Sequence, residues 1–278
     1  MHDAVDADLN SVSRQHVVSQ VLLRRLARRH HRNGAEISSY DLRHARTYPK
    51  SPKACGYVRE FVRFRSRAAE DLWAMIENRM PAALAAVQND AVFDAPDHAA
   101  TIKECIVLHY FRSLRSRAIH EQTWLQVAAQ NKRDLLANRE LLRRLALLKY
   151  GLHIEDGRVL EDIADELLRP STELHDSGAW FQARLEEYLE IGRARVAASG
   201  LEISRADRGE FLIGDCPAVG VRREPSGFRL GVAFGDADSV VVPIGPKTIV
   251  GLGKSDSVQT LPESFVDDLN RMQNQPGT

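Results

Sequence analysis

The sequence predicts an α+β fold, a helical layer packed on a C-terminal antiparallel sheet, and three features carry that prediction. Between residues 66 and 199 the apolar side chains recur at the spacing of helices. From Gly200 onward the pattern changes to short runs rich in Val, Ile and Phe, parted by turn residues. The links between those runs leave no room for crossover helices, so antiparallel pairing is expected.

The elements follow in order. After an acidic tail over residues 1–12, expected to be flexible, Ser13 is placed to cap a helix running to about Arg29, with Asn33-Gly34 as its stop. AEISSYDL reads as a strand, Ile37, Ser39 and Asp41 alternating with Ser38, Tyr40 and Leu42. YPKSPKACGY reads as a loop, because two prolines and a glycine break helix and ladder alike. A helix from Ser66 to about Met80 carries Ala69, Leu72, Trp73 and Ile76 on one side, and ALAAVQ continues it beyond Pro81.

The most apolar helix is expected over residues 98–119, where Ile102, Ile106, Tyr110 and Leu114 repeat every four residues. NKRDLLANRELLRRLALLKYG reads as another, closed by Gly151 with Arg and Lys in its last turns. Helices over 158–169 and 179–198 complete the helical middle. LEISRAD, EFLIGD, FRLGVAF, SVVVPIG and KTIVGLG then read as the strands of a strand-rich part, 200–255, before a last amphipathic helix over 262–273. No linker forces a division, so residues 13–278 are expected to form a single domain.

Lys+Arg and Asp+Glu both total 38 among 278 residues, so no net charge draws the chain to a polyanion or a membrane. The balance hides a segregation. Residues 14–67 hold 14 Lys/Arg against three acids, Glu36, Asp41 and Glu60, a local excess of +11. That excess suits phosphates or an acidic partner; alternatively, the segment folds back on the acidic remainder and the charges cancel. Three cysteines lie far apart with no Cys-x-x-Cys pair, which speaks against a cysteine zinc site or a redox motif. The acidic start lacks the apolar core of a signal peptide, and no window holds the roughly 18 apolar residues of a membrane span. The chain is therefore read as cytoplasmic, and its abundant Ala and Arg beside few Lys suggest a bacterial source.

Several motifs fail on inspection. VGLGKSD lacks the phosphate-loop glycine, since position 248 is Thr248, and its Asp256 stands where a dinucleotide fingerprint needs a third glycine. Neither a nucleophile elbow nor a His-Glu-x-x-His helix is present. His30-His31 reads as a solvated helix end, because adjacent helical residues point about 100° apart. Asp236 and Asp238 read as a turn. No metal-binding motif emerges, and the cofactor is left unknown.

The candidate site residues are few. On the expected first helix, His16 and Gln20 lie at the edge of an apolar arc, while Arg24 and Arg28 lie on the opposite, basic arc. His16 is either a structural hydrogen-bonder or an acid/base. Arg115 is expected to project between Phe111 and Leu108 and to need a carboxylate, a phosphate or carbonyls; Arg112 lies nearer the polar edge. Glu77 and Asp215 are candidate partners. Asp215 follows an apolar run and precedes Pro217, where it orients a base, binds a cation or closes an Asx-type turn.

Taken in order, these pieces resemble a bacterial family catalogued as domain of unknown function 4238. That family opens with His-x-x-Pro-Gln-x-x-Leu, and HVVSQVLL is similar to it through His16, Gln20 and Leu23, with Ser19 in place of the proline. The resemblance continues through EISSYDL, the Pro/Lys loop, Glu77, Arg112 or Arg115, then Phe211, Asp215 and Pro217, and finally VVVPIGP. It spans about residues 13–255 and implies no established activity. It does imply that His16, Gln20, an arginine and Asp215 form one polar cluster.

Two functions are carried forward. One is an enzyme acting on a phosphate-containing substrate such as nucleic acid. In it His16, Gln20 and Asp215 are catalytic, Arg112, Arg115, Arg24 and Arg28 bind substrate, and Glu77 stands behind them. The other is a non-catalytic module whose basic N-terminal helix docks nucleic acid or an acidic protein.

Overall fold

The N-terminal basic stretch does not form the expected long helix. Residues Arg14–His16 make a strand, β1, paired antiparallel with β5 (Tyr57–Arg59), and only Gln20–Leu26 coil into α1. Tertiary pairing overrides local propensity here. The N–H groups of Val17 and Val18 both donate to the Gly56 carbonyl, at 2.9 and 3.1 Å, and the buried Gln15 accepts from Val62 N–H at 2.7 Å. Gly56 is needed at this crossing, because its φ is +61° and a Cβ would come within 2.9 Å of Val18 Cβ.

The structure, a computed structural model, describes residues 12–30, 34–155, 157–225 and 227–273. The expectations placed on the acidic tail up to residue 11, on Asn33 and on the His30-His31 side chains lie outside what is described.

Chain residues Arg28–His30 form β2 rather than a helix end, and with β3 (Gly34–Asp41) and β4 (Arg46–Lys50) they build a three-stranded basic sheet. The expected loop therefore begins inside a strand. Pro49 is accommodated because β4 lies at the sheet's edge, opposite Ser38, where its missing N–H costs no ladder bond.

The helical middle has more breaks than its periodicity suggested. Helices α2 (Ser66–Glu77) and α3 (Met80–Gln88) are followed by α4 (Pro96–Phe111), which ends at Arg112 instead of running to 119. Ser113 (φ −131°, ψ 154°) then caps α5 (Leu114–Ala137), its hydroxyl accepting from Ser116 N–H. Asn138 does the same for α6 (Arg139–Tyr150), which Gly151 closes at φ +68° as expected. Helix α7 (Gly157–Asp176) runs past 169 through Pro170, and α8 (Ala179–Ala197) delivers the chain to the sheet.

That sheet has six strands in the order β11-β6-β10-β9-β7-β8. The strands are β6 (Gly200–Ala206), β7 (Val219–Glu224), β8 (Gly227–Leu230), β9 (Ser239–Gly245), β10 (Thr248–Gly253) and β11 (Ser257–Leu261). EFLIGD is not one of them; β7 and β11 are the additions, and β11 carries the strand-rich part to 261. Four pairings are antiparallel, but β11 pairs with β6 in parallel, so the sheet is mixed. Its inner face contributes Leu201, Ile203, Val240, Val242, Ile244, Val250 and Leu252 to a core shared with α1 to α4 and α8. On the other face α9 (Glu263–Gln273) buries Phe265, Val266 and Leu269 against Val241, Ile249 and Leu261. Helices α5 to α7 enclose a separate apolar cluster around Leu142, Leu160 and Ile163. The fold class is α+β. Among the described residues, no helix is long and apolar enough to cross a membrane.

Candidate functional site

The turn between β1 and α1 brings the first candidate residues to the junction of the basic sheet and the core. His16 and Gln20 meet, though not on one helix face: His16 ends β1 and Gln20 opens α1. Their Nε2 atoms are 3.4 Å apart, and Gln20 Oε1 accepts from Arg24 Nη2 at 3.3 Å. With its oxygen engaged, the Gln20 amide presents its NH2 to His16, which assigns His16 Nε2 as an acceptor and the ring proton to Nδ1. Burial lowers the His16 pKa, opposed by its hydrogen bond to the Lys53 backbone and by Glu77, so the ring is neutral at pH 7.

Behind this pair lies a buried network that the sequence reading placed only in part. Ser19, fully buried, donates its hydroxyl to Glu77 Oε1 at 2.5 Å. Arg112 Nη2 reaches both Ser19 Oγ, at 2.8 Å, and Glu77 Oε1, at 2.5 Å, while its Cζ lies 4.9 Å from the centre of the Trp73 ring. Burial alone would raise the Glu77 pKa, but Arg112 and the Ser19 hydroxyl outweigh it and hold the carboxyl below its ordinary value. Ser19 N–H donates to His109 Nε2 at 3.2 Å, and His109 Nδ1 donates to the Cys105 carbonyl at 2.8 Å, which fixes that ring as a neutral tautomer. Burial, reinforced by Arg112, lowers its pKa to about 4.

The network corrects the placement of Arg112 near the polar edge. The residue is 1% exposed, and its Nη2 is engaged by Ser19 and Glu77. What it does is tie α1, α2 and the end of α4 together. Arg115 is corrected as well. The break at Ser113 places it on α5, where its Nη2 binds the Gly231 carbonyl at 2.6 Å, away from Arg112's partners.

Asp215 sits in the loop before β7, near Lys50 and Cys55. Among the described residues, no hydrogen bond or ion pair joins it to His16. The two flank one segment, residues 50–55: Lys53 meets His16 and Lys50 faces Asp215. Burial raises the Asp215 pKa, and Lys50 opposes it. Arg24 and Arg28 are exposed, Arg28 on β2 opposite Glu36.

Sequence reasoning passed over Ser19, His109, Trp73 and Gln15. Ser19 carried a signal, as the one departure from the His-x-x-Pro-Gln motif. His109 carried a weaker one, as a lone histidine within an apolar helix.

The ion pairs of the +11 segment are local, and beyond them Lys50 faces Asp215. Those between described residues are His44 with Asp41, Arg63 with Glu60 and Arg67 with Asp71, and none reaches the acidic remainder beyond α2. Arg14, Arg24, Arg28, Arg43, Arg46, Lys50, Lys53 and Arg59 are exposed around β1 to β5. Aromatic rings lie among such cations: Tyr48 beside Lys50, Phe64 beside Arg65, and Tyr57 under Arg14 with its ring centre 5.0 Å from the guanidinium carbon.

These features define an α+β protein with a buried Ser-Glu-Arg-His clamp beneath a basic face. The chain belongs to the family described as protein of unknown function (DUF4238), which matches residues 14–275. No curated protein and no solved structure matches it.

Proposed function

We propose that the protein binds single-stranded nucleic acid across the basic face built from β1 to β5. The observation that supports this reading most is the excess of arginine and lysine over residues 14–67, whose ion pairs among the described residues reach no further along the chain than Asp71 on α2. Phosphates are the partners such a surface suits. The exposed rings of Tyr48, on the side of β4 that carries Arg46 and Lys50, and of Phe64 favour unpaired bases over a duplex, because a stacked ring needs an open base face. The buried clamp then serves to hold α1 and its neighbours rigidly against the core. The test is titration of a fluorescent single-stranded RNA, a single-stranded DNA and a duplex of equal length. Tighter binding of the single strands supports the reading; equal or absent binding overturns it.

An enzyme acting on the same phosphate-containing ligand is a second reading, favoured by His16. Its neutral ring is half-buried at the border of the basic face, with Gln20 on one side and the Lys53 backbone on another. Cleavage of the bound strand, abolished in His16→Ala without loss of binding, would support this reading over simple binding.

A further inference from the structure

Helices α5, α6 and α7 enclose a small apolar cluster of their own, and two features on their outside fit each other. The first is a stripe on α6. Leu141, Leu145 and Leu148 recur at i, i+4 and i+7 and share one side of the helix, beside and not on the side of the buried Leu142 and Ala146. Leu148 is 81% exposed, and Leu141 is exposed as well. A row of leucines left in water marks an interaction surface. Arg144 adjoins it, three residues after Leu141 and four before Leu148, exposed and without an acidic partner among the described residues.

The second feature is a groove of about 640 Å³ between α5 and α7. Trp124, Ala128, Leu168 and Trp180 give it apolar surface, and Asp162 and Asp165 of α7 add carboxylates. Along α7 the lining runs from Asp162 to Thr172, about 15 Å at the helical rise, and the leucine stripe spans about 10 Å. Charge separates the two helices. Helix α6 carries Arg139, Arg143, Arg144 and Lys149 against Glu140 alone, whereas α7 carries six acids against Arg158 and Arg169.

We infer that the leucine stripe of α6 in one copy of the chain seats in the α5–α7 groove of a second copy, with Arg144 turned to the acid-rich α7. Length, apolar surface and charge sign agree between stripe and groove, and one sequence supplies both halves. An anionic lipid surface would suit the basic flank of α6 but would use neither the groove nor the acids of α7. The inference is independent of the nucleic-acid reading, which rests on β1 to β5.

The experiment is sedimentation equilibrium of the full chain over a range of concentrations. The wild type is expected to associate beyond the monomer. Leu148→Glu in the stripe and Ala129→Arg in the groove lining, both at exposed positions, are each expected to weaken association by about tenfold or more. Mixed in equal amounts, the two variants should form pairs again, because the intact stripe of one then meets the intact groove of the other. Recovery on mixing also shows that both variants are folded. A wild type that stays monomeric at every concentration would overturn the proposal, as would association indifferent to Leu148→Glu. Loss in both variants with no recovery on mixing would mean that stripe does not meet groove, and would overturn it too. A monomer that binds phosphatidylglycerol vesicles, and loses them in Leu148→Glu, would give the stripe to a lipid surface instead.

Discussion

Ser19 and His109, separated by 90 positions in sequence, meet through one hydrogen bond, from the Ser19 backbone N–H to His109 Nε2. Burial, reinforced by Arg112, holds His109 neutral, and its pKa of about 4 against an ordinary 6.5 ties folding to pH. Because the folded value is depressed, the stability the neutral ring contributes is complete above pH 6.5. It is lost as pH falls toward 4, in total about 3 kcal/mol.

Glu70 works in the opposite sense. Burial raises its carboxyl to about 7, against an ordinary 4.5, and its Oε1 has no hydrogen-bond partner. The stability associated with its protonated form is complete below pH 4.5 and is lost as pH rises through 7. Between about pH 4.5 and 6.5 the slopes from His109 and Glu70 oppose each other. Urea midpoints measured against pH are therefore expected to fall more steeply toward acid in Glu70→Gln than in the wild type, and adding His109→Gln should reduce that fall. Parallel curves for wild type and Glu70→Gln would remove Glu70 from the account.

The Arg112–Glu77 pair predicts a non-additive double variant. Arg112→Met leaves the Glu77 carboxylate without its cation and is expected to cost about 3–5 kcal/mol in denaturant unfolding. Arg112→Met combined with Glu77→Met removes both charges and should cost less than Arg112→Met alone. Additive losses would mean that the two charges do not depend on each other.

Ser19 is where the motif resembled in sequence carries proline, and its φ of −55° is one a proline ring adopts. Ser19→Pro would thus fit the backbone but lose the N–H bond to His109 and both bonds of the hydroxyl, to Glu77 and from Arg112, about 3 kcal/mol in all. Ser19→Ala keeps the N–H and should lose about two thirds as much. Equal melting of the two variants would show that the N–H bond contributes nothing.

How far the sequence disclosed this arrangement depended on range. Local signals were legible: the period of α4, the Gly151 cap, the alternation of β3 and the valine-rich run of β9. Gln15 and His16 were misplaced on a helix because the partners that hold them extended, Val58, Tyr57 and Gly56, lie some forty residues on. The break at Arg112 was hidden by an apolar repeat that continues through Leu114, although Ser113 was a readable cap. Without that break Arg115 was assigned to the wrong helix. The clamp itself joins residues 19, 77, 109 and 112, and spacing within one element cannot disclose such a meeting.

Gly192 sets helix propensity against packing. It lies inside α8, where alanine is ordinarily favoured over glycine by about 1 kcal/mol. A Cβ at this position would come within 2.6 Å of Val107 Cγ1 and 3.0 Å of Phe111 Cε2, because α8 crosses α4 here at backbone distance. Packing should win, and Gly192→Ala is expected to lower stability by about 1–3 kcal/mol. A rise in melting temperature would show that α4 and α8 can separate without penalty.

The basic face makes a quantitative prediction of its own. Each phosphate neutralised on a single strand contributes about −0.7 to the slope of log affinity against log salt. A site contacting four to six phosphates should therefore give a slope of about −3 to −4. Arg46 and Lys50 project from the same face of β4, since they pair with Asp41 and Ile37 two ladder steps apart on each side of Ser39 and Tyr48. Replacing both with Gln is expected to weaken binding at every sequence tested and to lower the slope by about 1.4. Arg115→Gln, whose guanidinium is committed to the Gly231 carbonyl, should leave the slope unchanged. A flat salt response in the wild type, or a slope indifferent to the β4 variant, would move the ligand away from this face.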